Sequence, residues 1–156
     1  MIRVQREDID VGAELAAFGR GNLAIGGIAS FVGVVRDEAG GAAVGAMTLE
    51  HYPGMTERKL AEIEAEARAR WPLEDSLIIH RFGRLEPGER IVLVAVASGH
   101  RHAALEACQF LIDWLKTEAP FWKREEDAHG ARWVEARVAD DAAAARWQAD
   151  KKHAAE

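Results

Sequence analysis

Two stretches of this chain place cations where they could hold or turn over an anion. The first is Ser98-Gly99-His100-Arg101, which follows an apolar run and opens an amphipathic segment. A histidine and an arginine at a strand-to-helix junction meet unpaired backbone N–H groups and the positive end of the helix dipole, and both favour an anion. The guanidinium adds bidentate recognition of phosphate or carboxylate. The second stretch carries Lys116 and Lys123, set either side of Pro120. Lys116 falls in the last turn of the same helix, where the dipole favours a cation anyway. Lys123 follows Ala119-Pro120-Phe121-Trp122, whose bulk can exclude water. Burial or neighbouring cations lower a lysine's pKa and fit it to act as acid, base or anion holder. Arg36 closes the apolar pattern Phe31-Val32-Gly33-Val34-Val35, and Arg137 follows Trp133-Val134-Glu135-Ala136. Each candidate also has a plainer reading: a surface arginine beside a capping histidine, a charge where a strand meets solvent, two solvated lysines. Spacing alone leaves both readings open.

The cations stand out because the 156-residue chain is acidic overall, with a net charge of −6. A nucleic-acid surface would spread basic charge over a broad face, so the pattern points to a local anion site instead. Cys108 lies on the apolar stripe of its helix, where a free cysteine behaves as a small hydrophobe rather than a nucleophile. His51, His80, His100 and His102 invite a metal reading. No His-x-x-x-His and no paired cysteines support it, so neither a metal nor another cofactor is expected. Phosphate loops, nucleotide-binding glycine fingerprints and Gly-x-Ser-x-Gly are absent from the sequence.

The elements that must position these residues form one α+β domain over residues 1–140, followed by a tail, 141–156, that is either helical or disordered. Asp10 is placed to cap a helix over Val11 to Phe18. Leu23 to Arg36 reads as one long strand or a bent pair, with Gly26, Gly27 and Gly33 marking bulges or close backbone approach. Asp37 to Gly41 is a turn cluster, and Ala46 to Tyr52 alternates as a half-buried strand. A helix over Thr56 to Arg70 buries Leu60, Ile63 and Ala67 and stops before Pro72. Ser76 to Arg84 and Arg90 to Ala97 read as strands joined through Glu86-Pro87-Gly88-Glu89. The last long helix spans about Arg101 to Thr117. Trp133 to Val138 reads as a final strand and Asp141 to Lys152 as a helix. Residues 1–10 are polar and do not read as a signal peptide, and no apolar run is long enough to span a bilayer. With a single cysteine, the expected compartment is the cytoplasm.

Taken in order, several segments resemble a known family. They are Phe31 to Arg36, Leu49-Glu50-His51-Tyr52-Pro53-Gly54-Met55, Ile79-His80-Arg81-Phe82-Gly83-Arg84-Leu85, and Gly99-His100-Arg101. Asp113-Trp114-Leu115-Lys116 and Ala119-Pro120-Phe121-Trp122-Lys123-Arg124-Glu125 complete the series. The series resembles the large, catalytic subunit of molybdopterin synthase from about Val11 to Arg137.

The resemblance implies an α/β-hammerhead fold with mixed and antiparallel strands and two main helices. It also implies a homodimer that carries a small ubiquitin-like sulfur-carrier subunit on each protomer, a heterotetramer overall. The carrier's C-terminal Gly-Gly thiocarboxylate would deliver sulfur to cyclic pyranopterin monophosphate, giving the dithiolene of molybdopterin. By the same resemblance, Lys116 and Lys123 meet the thiocarboxylate tail, with Lys116 the main catalytic lysine. Arg36, His100 and Arg101 belong to the pterin-phosphate pocket, and Arg137 reaches it from the other protomer. Phe31 and Glu125 hold matching motif positions. Trp114, Trp122 and Trp133 are candidate contributors to the dimer surface. Two other classes compete: a non-catalytic phosphometabolite-binding module built on His100 and Arg101, and a metal-dependent hydrolase built on the histidines.

Overall fold

A computed structural model of the chain describes residues 1–39, 42–43, 45–134 and 141–148. Strand β1 (Ile2–Gln5) leads to helix α1 (Val11–Ala17), whose N-cap is Asp10: its carboxylate accepts the Ala13 N–H at 3.0 Å. Strand β2 (Gly27–Val34) follows, then the short pair β3 (Glu38–Ala39) and β4 (Ala42–Ala43), and strand β5 (Ala46–His51). Gly54, at φ 81°, turns the chain into helix α2 (Met55–Arg70), which ends where Trp71 adopts extended backbone before Pro72. Next come β6 (Asp75–Arg81), β7 (Gly83–Leu85) and β8 (Arg90–Ser98). Helix α3 (Arg101–Thr117), β9 (Phe121–Asp127) and β10 (Gly130–Val134) complete the order, and residues 141–148 form one more helix.

The first sheet runs β1-β6-β8-β2, with β1 parallel to β6 and the other pairs antiparallel. Its strands read as nearly continuous apolar runs because both faces are covered. Ile78, Val92, Val94 and Val96 meet α2 and α3 on one side, packing with Leu60, Ala107, Phe110 and Leu111. Leu77, Ile79, Leu93 and Ala95 meet α1 on the other, with Ile9, Leu15 and Phe18. The second sheet runs β10-β9-β5-β7, antiparallel throughout, over a smaller cluster of Val35, Met47, Leu49 and Leu85. Trp147, in helix 141–148, inserts into the main core against Trp71 and Phe110, and its indole N–H donates to the buried Asp113 at 2.8 Å.

The expected α+β class is what the chain adopts, and three local expectations change. Ser76 to Arg84 is not one strand. The backbone turns at Gly83, where φ is 93°, and the two halves enter different sheets. Leu23 to Gly26 is not strand. There the Asn22 side chain accepts the Ala24 N–H at 2.9 Å, and Leu23 is fully exposed. The segment Phe121 to Asp127 forms a central strand of the second sheet, which its charge conceals. Within Trp133 to Val138, β10 includes Trp133 and Val134, and residues 135–138 lie outside the described residues, as do 149–152 of the expected terminal helix. The glycine reading is matched by close approaches: a Cβ on Gly26 would stand 2.2 Å from the carbonyl oxygen of Gly99, and one on Gly33 2.7 Å from a Val92 methyl. The register of β2 on β8 slips between Gly33 and Val34, a bulge at the strand's end.

Candidate active site

The bulge aims the end of β2 at a cavity between the two sheets and the C-terminal end of α3. Val35, just past the strand, is buried and held by two backbone hydrogen bonds: its N–H donates to Glu89 and its carbonyl accepts from Gly88. Arg36, the next residue, therefore leaves the sheet at a fixed point with its side chain exposed toward the cavity mouth. Phe31 and Val34 supply apolar wall from the same strand. From the opposite side, α3 ends with Ile112 and Leu115 on the wall and Lys116 exposed at the rim. The chain then turns through Ala119, whose carbonyl accepts the Phe121 N–H at 2.8 Å, and starts β9. Alternation along β9 puts Lys123 and Glu125 on the face that lines the cavity and Trp122 and Arg124 on the other. The cavity is about 340 Å³, a volume within the range of small-ligand sites.

Charge inside it is organised as well as concentrated. Glu125 is almost fully buried, and one of its oxygens lies 2.7 Å from the Lys123 ammonium. Arg132, on β10, stands 3.8 Å from the other. The carboxylate is thereby compensated, and among the described residues the cavity lining carries three cations, Arg36, Lys116 and Lys123, to one carboxylate. Three cations around an apolar hollow suit a ligand that carries more than one negative charge and an organic body.

The cations do not form the single cluster that the sequence suggests. Phe31, Arg36, Lys116, Lys123 and Glu125 share the cavity, whereas His100 and Arg101 lie at the other end of α3. Fifteen helical steps separate Arg101 from Lys116, about 22 Å along the axis. The neighbouring strand gives the same answer. Gly27, at the start of β2, lies beside Arg101, while Val34, at its end, lines the cavity, about 23 Å on. His100 and Arg101 are exposed at the N-terminus of α3, where the His100 N–H donates to the Ser98 hydroxyl at 3.2 Å. Arg137 lies outside the described residues. Trp122 and Trp133 are exposed on the outer face of the second sheet, and Trp114 is half-buried against Phe110.

A residue the sequence offered only as a metal candidate is part of the wall. His80, on β6, lines the cavity, stacked on Phe121 with ring centroids 3.8 Å apart. Burial, aided by nearby His51, pulls its pKa down from 6.5 to about 4 despite the hydrogen bond to the Arg81 carbonyl. The ring is neutral at ordinary pH. The available signal was period two: His80 shares a face with the core residue Ile78. Among the described residues no group of three or more His, Cys, Asp or Glu side chains gathers as a metal site. Cys108 is buried in the main core, and burial pushes its thiol up to about 11, which makes it a packing residue.

A cationic, ligand-sized cavity framed by an α+β fold is suited to a multiply anionic small molecule. Comparison with known proteins makes the class specific. Residues 4–118 match the family described as MoaE protein. A relative from Ralstonia nicotianae, named molybdopterin synthase catalytic subunit, is 60% identical over 146 residues, 94% of this chain and 83% of its own length. Among solved structures, the molybdopterin biosynthesis MoaE protein from Burkholderia ambifaria MC40-6 is 54% identical and superposes with a TM-score of 0.81, covering 95% of this chain and 97% of that one. A chain from the Helicobacter pylori 26695 complex of subunits 1 and 2 of molybdopterin-converting factor, 20% identical, shares the fold with a TM-score of 0.72 over 87% of this chain and 91% of its own. This chain belongs to the MoaE protein family, that of the molybdopterin synthase catalytic subunits.

Proposed function

We propose that the cavity is where sulfur passes from the C-terminal thiocarboxylate of a small ubiquitin-like carrier to cyclic pyranopterin monophosphate, giving molybdopterin. The observation that supports this most directly is the convergence of Lys116, Lys123 and Arg36 on one hollow with an apolar wall. A thiocarboxylate and a cyclic phosphate are both anions, and bringing them into contact needs cations around both. Lys123, pinned by Glu125, holds the incoming tail; Lys116, at the rim, exchanges the proton that sulfur attack on the pterin side chain requires. Arg36 faces the phosphate. Two such transfers install the dithiolene. The partner is a separate or fused chain ending in Gly-Gly, thin enough to enter a cavity of about 340 Å³. The lone buried cysteine suits a reducing cytoplasm. No helix among the described residues is long and apolar enough to cross a membrane.

His100 and Arg101 enter this scheme through a second copy. They stand too far from their own Lys116 to share a ligand with it, so in a homodimer they serve the phosphate pocket of the opposite protomer, together with Arg137. Complementation tests the arrangement. Lys116→Ala and Arg101→Ala are each expected to be inactive. When the two are mixed and allowed to exchange subunits, half the dimers are mixed and each has one intact site. About a quarter of wild-type product formation should return. No recovery from demonstrably mixed dimers would overturn the shared site.

A further inference from the structure

His80 takes no part in the scheme above, yet its position specifies what it can do. Its Nδ1 lies 2.8 Å from the carbonyl oxygen of Arg81. A carbonyl only accepts, so Nδ1 carries the proton. The ring is neutral, so Nε2 is bare and offers a lone pair. The Nδ1 edge faces the strand's own backbone, the ring lines the cavity, and Nε2 is not among the buried side-chain nitrogens without a partner, which in the described residues are those of Arg3, Trp114 and Arg124. Phe121 fixes the ring's plane from one side, at 17° to its own.

The other polar side chains of the wall cannot supply what Nε2 supplies. Arg36, Lys116 and Lys123 only donate. Glu125 accepts, but its oxygens face Lys123 and Arg132. A further carboxylate among these cations would be drawn into an ion pair in the same way. A neutral imidazole attracts them much less and stays available. Burial, and after it nearby His51, oppose its protonation; the cavity also holds the cations Arg36, Lys116 and Lys123 and one carboxylate, Glu125, which is paired with Lys123.

We infer that Nε2 of His80 accepts a hydrogen bond from a ring N–H of the heterocyclic substrate and thereby sets which edge of the heterocycle enters the cavity. This rests on the sulfur-transfer reading and names a specificity-determining contact within it. The bond involves no bond-breaking and no proton transfer. It orients the substrate's organic body while the cations hold its phosphate.

The test separates the two ring nitrogens. His80→Asn places an amide N–H near the position of Nδ1 and removes the distal acceptor. His80→Gln places a carbonyl oxygen near the position of Nε2 and gives up the inner bond. Both lose the stack on Phe121. With wild-type carrier, H80N should raise KM for the pterin phosphate about 10-fold with kcat within about twofold, and H80Q should keep KM within about threefold. Calorimetric binding of the pterin phosphate without carrier should weaken in parallel. If H80N does not fold, His80→Phe, which keeps the stack and lacks both nitrogens, takes its place. Equal KM values for the acceptor-bearing and acceptor-lacking variants, raised or unchanged, would overturn the assignment. Failure of the sulfur-transfer reading looks different: the wild-type protein itself would neither bind nor convert the pterin phosphate.

Discussion

Removing the Lys123 ammonium should cost the protein stability as well as activity, and the size of the loss follows from Glu125. Its side chain is 6% exposed and that of Lys123 is 34% exposed, with 2.7 Å between the charged atoms. Lys123→Ala leaves a nearly buried carboxylate with Arg132 at 3.8 Å as an ion-pair neighbour. Breaking a fully buried pair costs about 3–5 kcal/mol because the stranded charge stays desolvated. Here one partner keeps a third of its surface in water and Arg132 offsets part of the loss, so about 2 kcal/mol is expected. For a domain of this size that is a fall in Tm of roughly 4–8 °C. Adding Glu125→Gln should recover most of it, since the neutral amide has no charge to strand. Thermal melts of the two single variants and the double variant measure each quantity. A Lys123→Ala protein that melts with the wild type, or a double variant no better than the single, would refute the claim that this pair is coupled through burial.

Three other outcomes follow from the same structure. Lys116 is exposed at the rim, so Lys116→Ala should abolish most product formation while moving Tm by no more than about 2 °C; a large fall in Tm would make the residue structural. His80 has its pKa lowered from 6.5 in the unfolded chain to about 4 in the folded one, so the unfolded state binds its proton first. Its contribution is complete above pH 6.5 and is lost as pH falls toward 4, up to about 3–4 kcal/mol at about 1.4 kcal/mol for each pH unit between them. Urea midpoints across that range should flatten in His80→Phe, and an unchanged acid limb would count against it. Trp147→Ala removes a core indole that is 6% exposed and takes one hydrogen bond from the buried Asp113, which keeps Gln109 at 2.7 Å and Arg146 at 3.3 Å, so the loss is chiefly that of the buried indole, about 3–5 kcal/mol, read by urea unfolding. A wild-type midpoint would show that helix 141–148 does not anchor the core.

Much of the frame was legible because single residues mark its boundaries. Asp10 caps α1, Pro72 stops α2, and Gly99-His100 precedes α3, so all three helices fall within one residue of their expected ends. The Gly33 bulge could be anticipated from a glycine inside an apolar strand. Strand β9 was hidden by function: its inward face carries Lys123 and Glu125, so the alternation that announces a half-buried strand is charged on the very side that should be apolar. The break at Phe82–Gly83 lies inside a run of strand-forming residues and depends on a positive φ that sequence does not display. Within one protomer His100 and Arg101 lie at the opposite end of α3 from Lys116. The expected helix length already placed them about 22 Å apart. His80 was missed because its neutrality and its fixed tautomer arise from burial and from a carbonyl, neither of which residue type reveals.

The most direct test of the central claim is reconstitution. This protein is mixed with a carrier bearing a C-terminal thiocarboxylate and with cyclic pyranopterin monophosphate, and dithiolene product is followed by oxidation to a fluorescent pterin. Product that requires all three components and disappears with Lys116→Ala is the predicted result. No product from the wild-type protein, with the same carrier active on another synthase subunit, would contradict the assignment of sulfur transfer to this cavity.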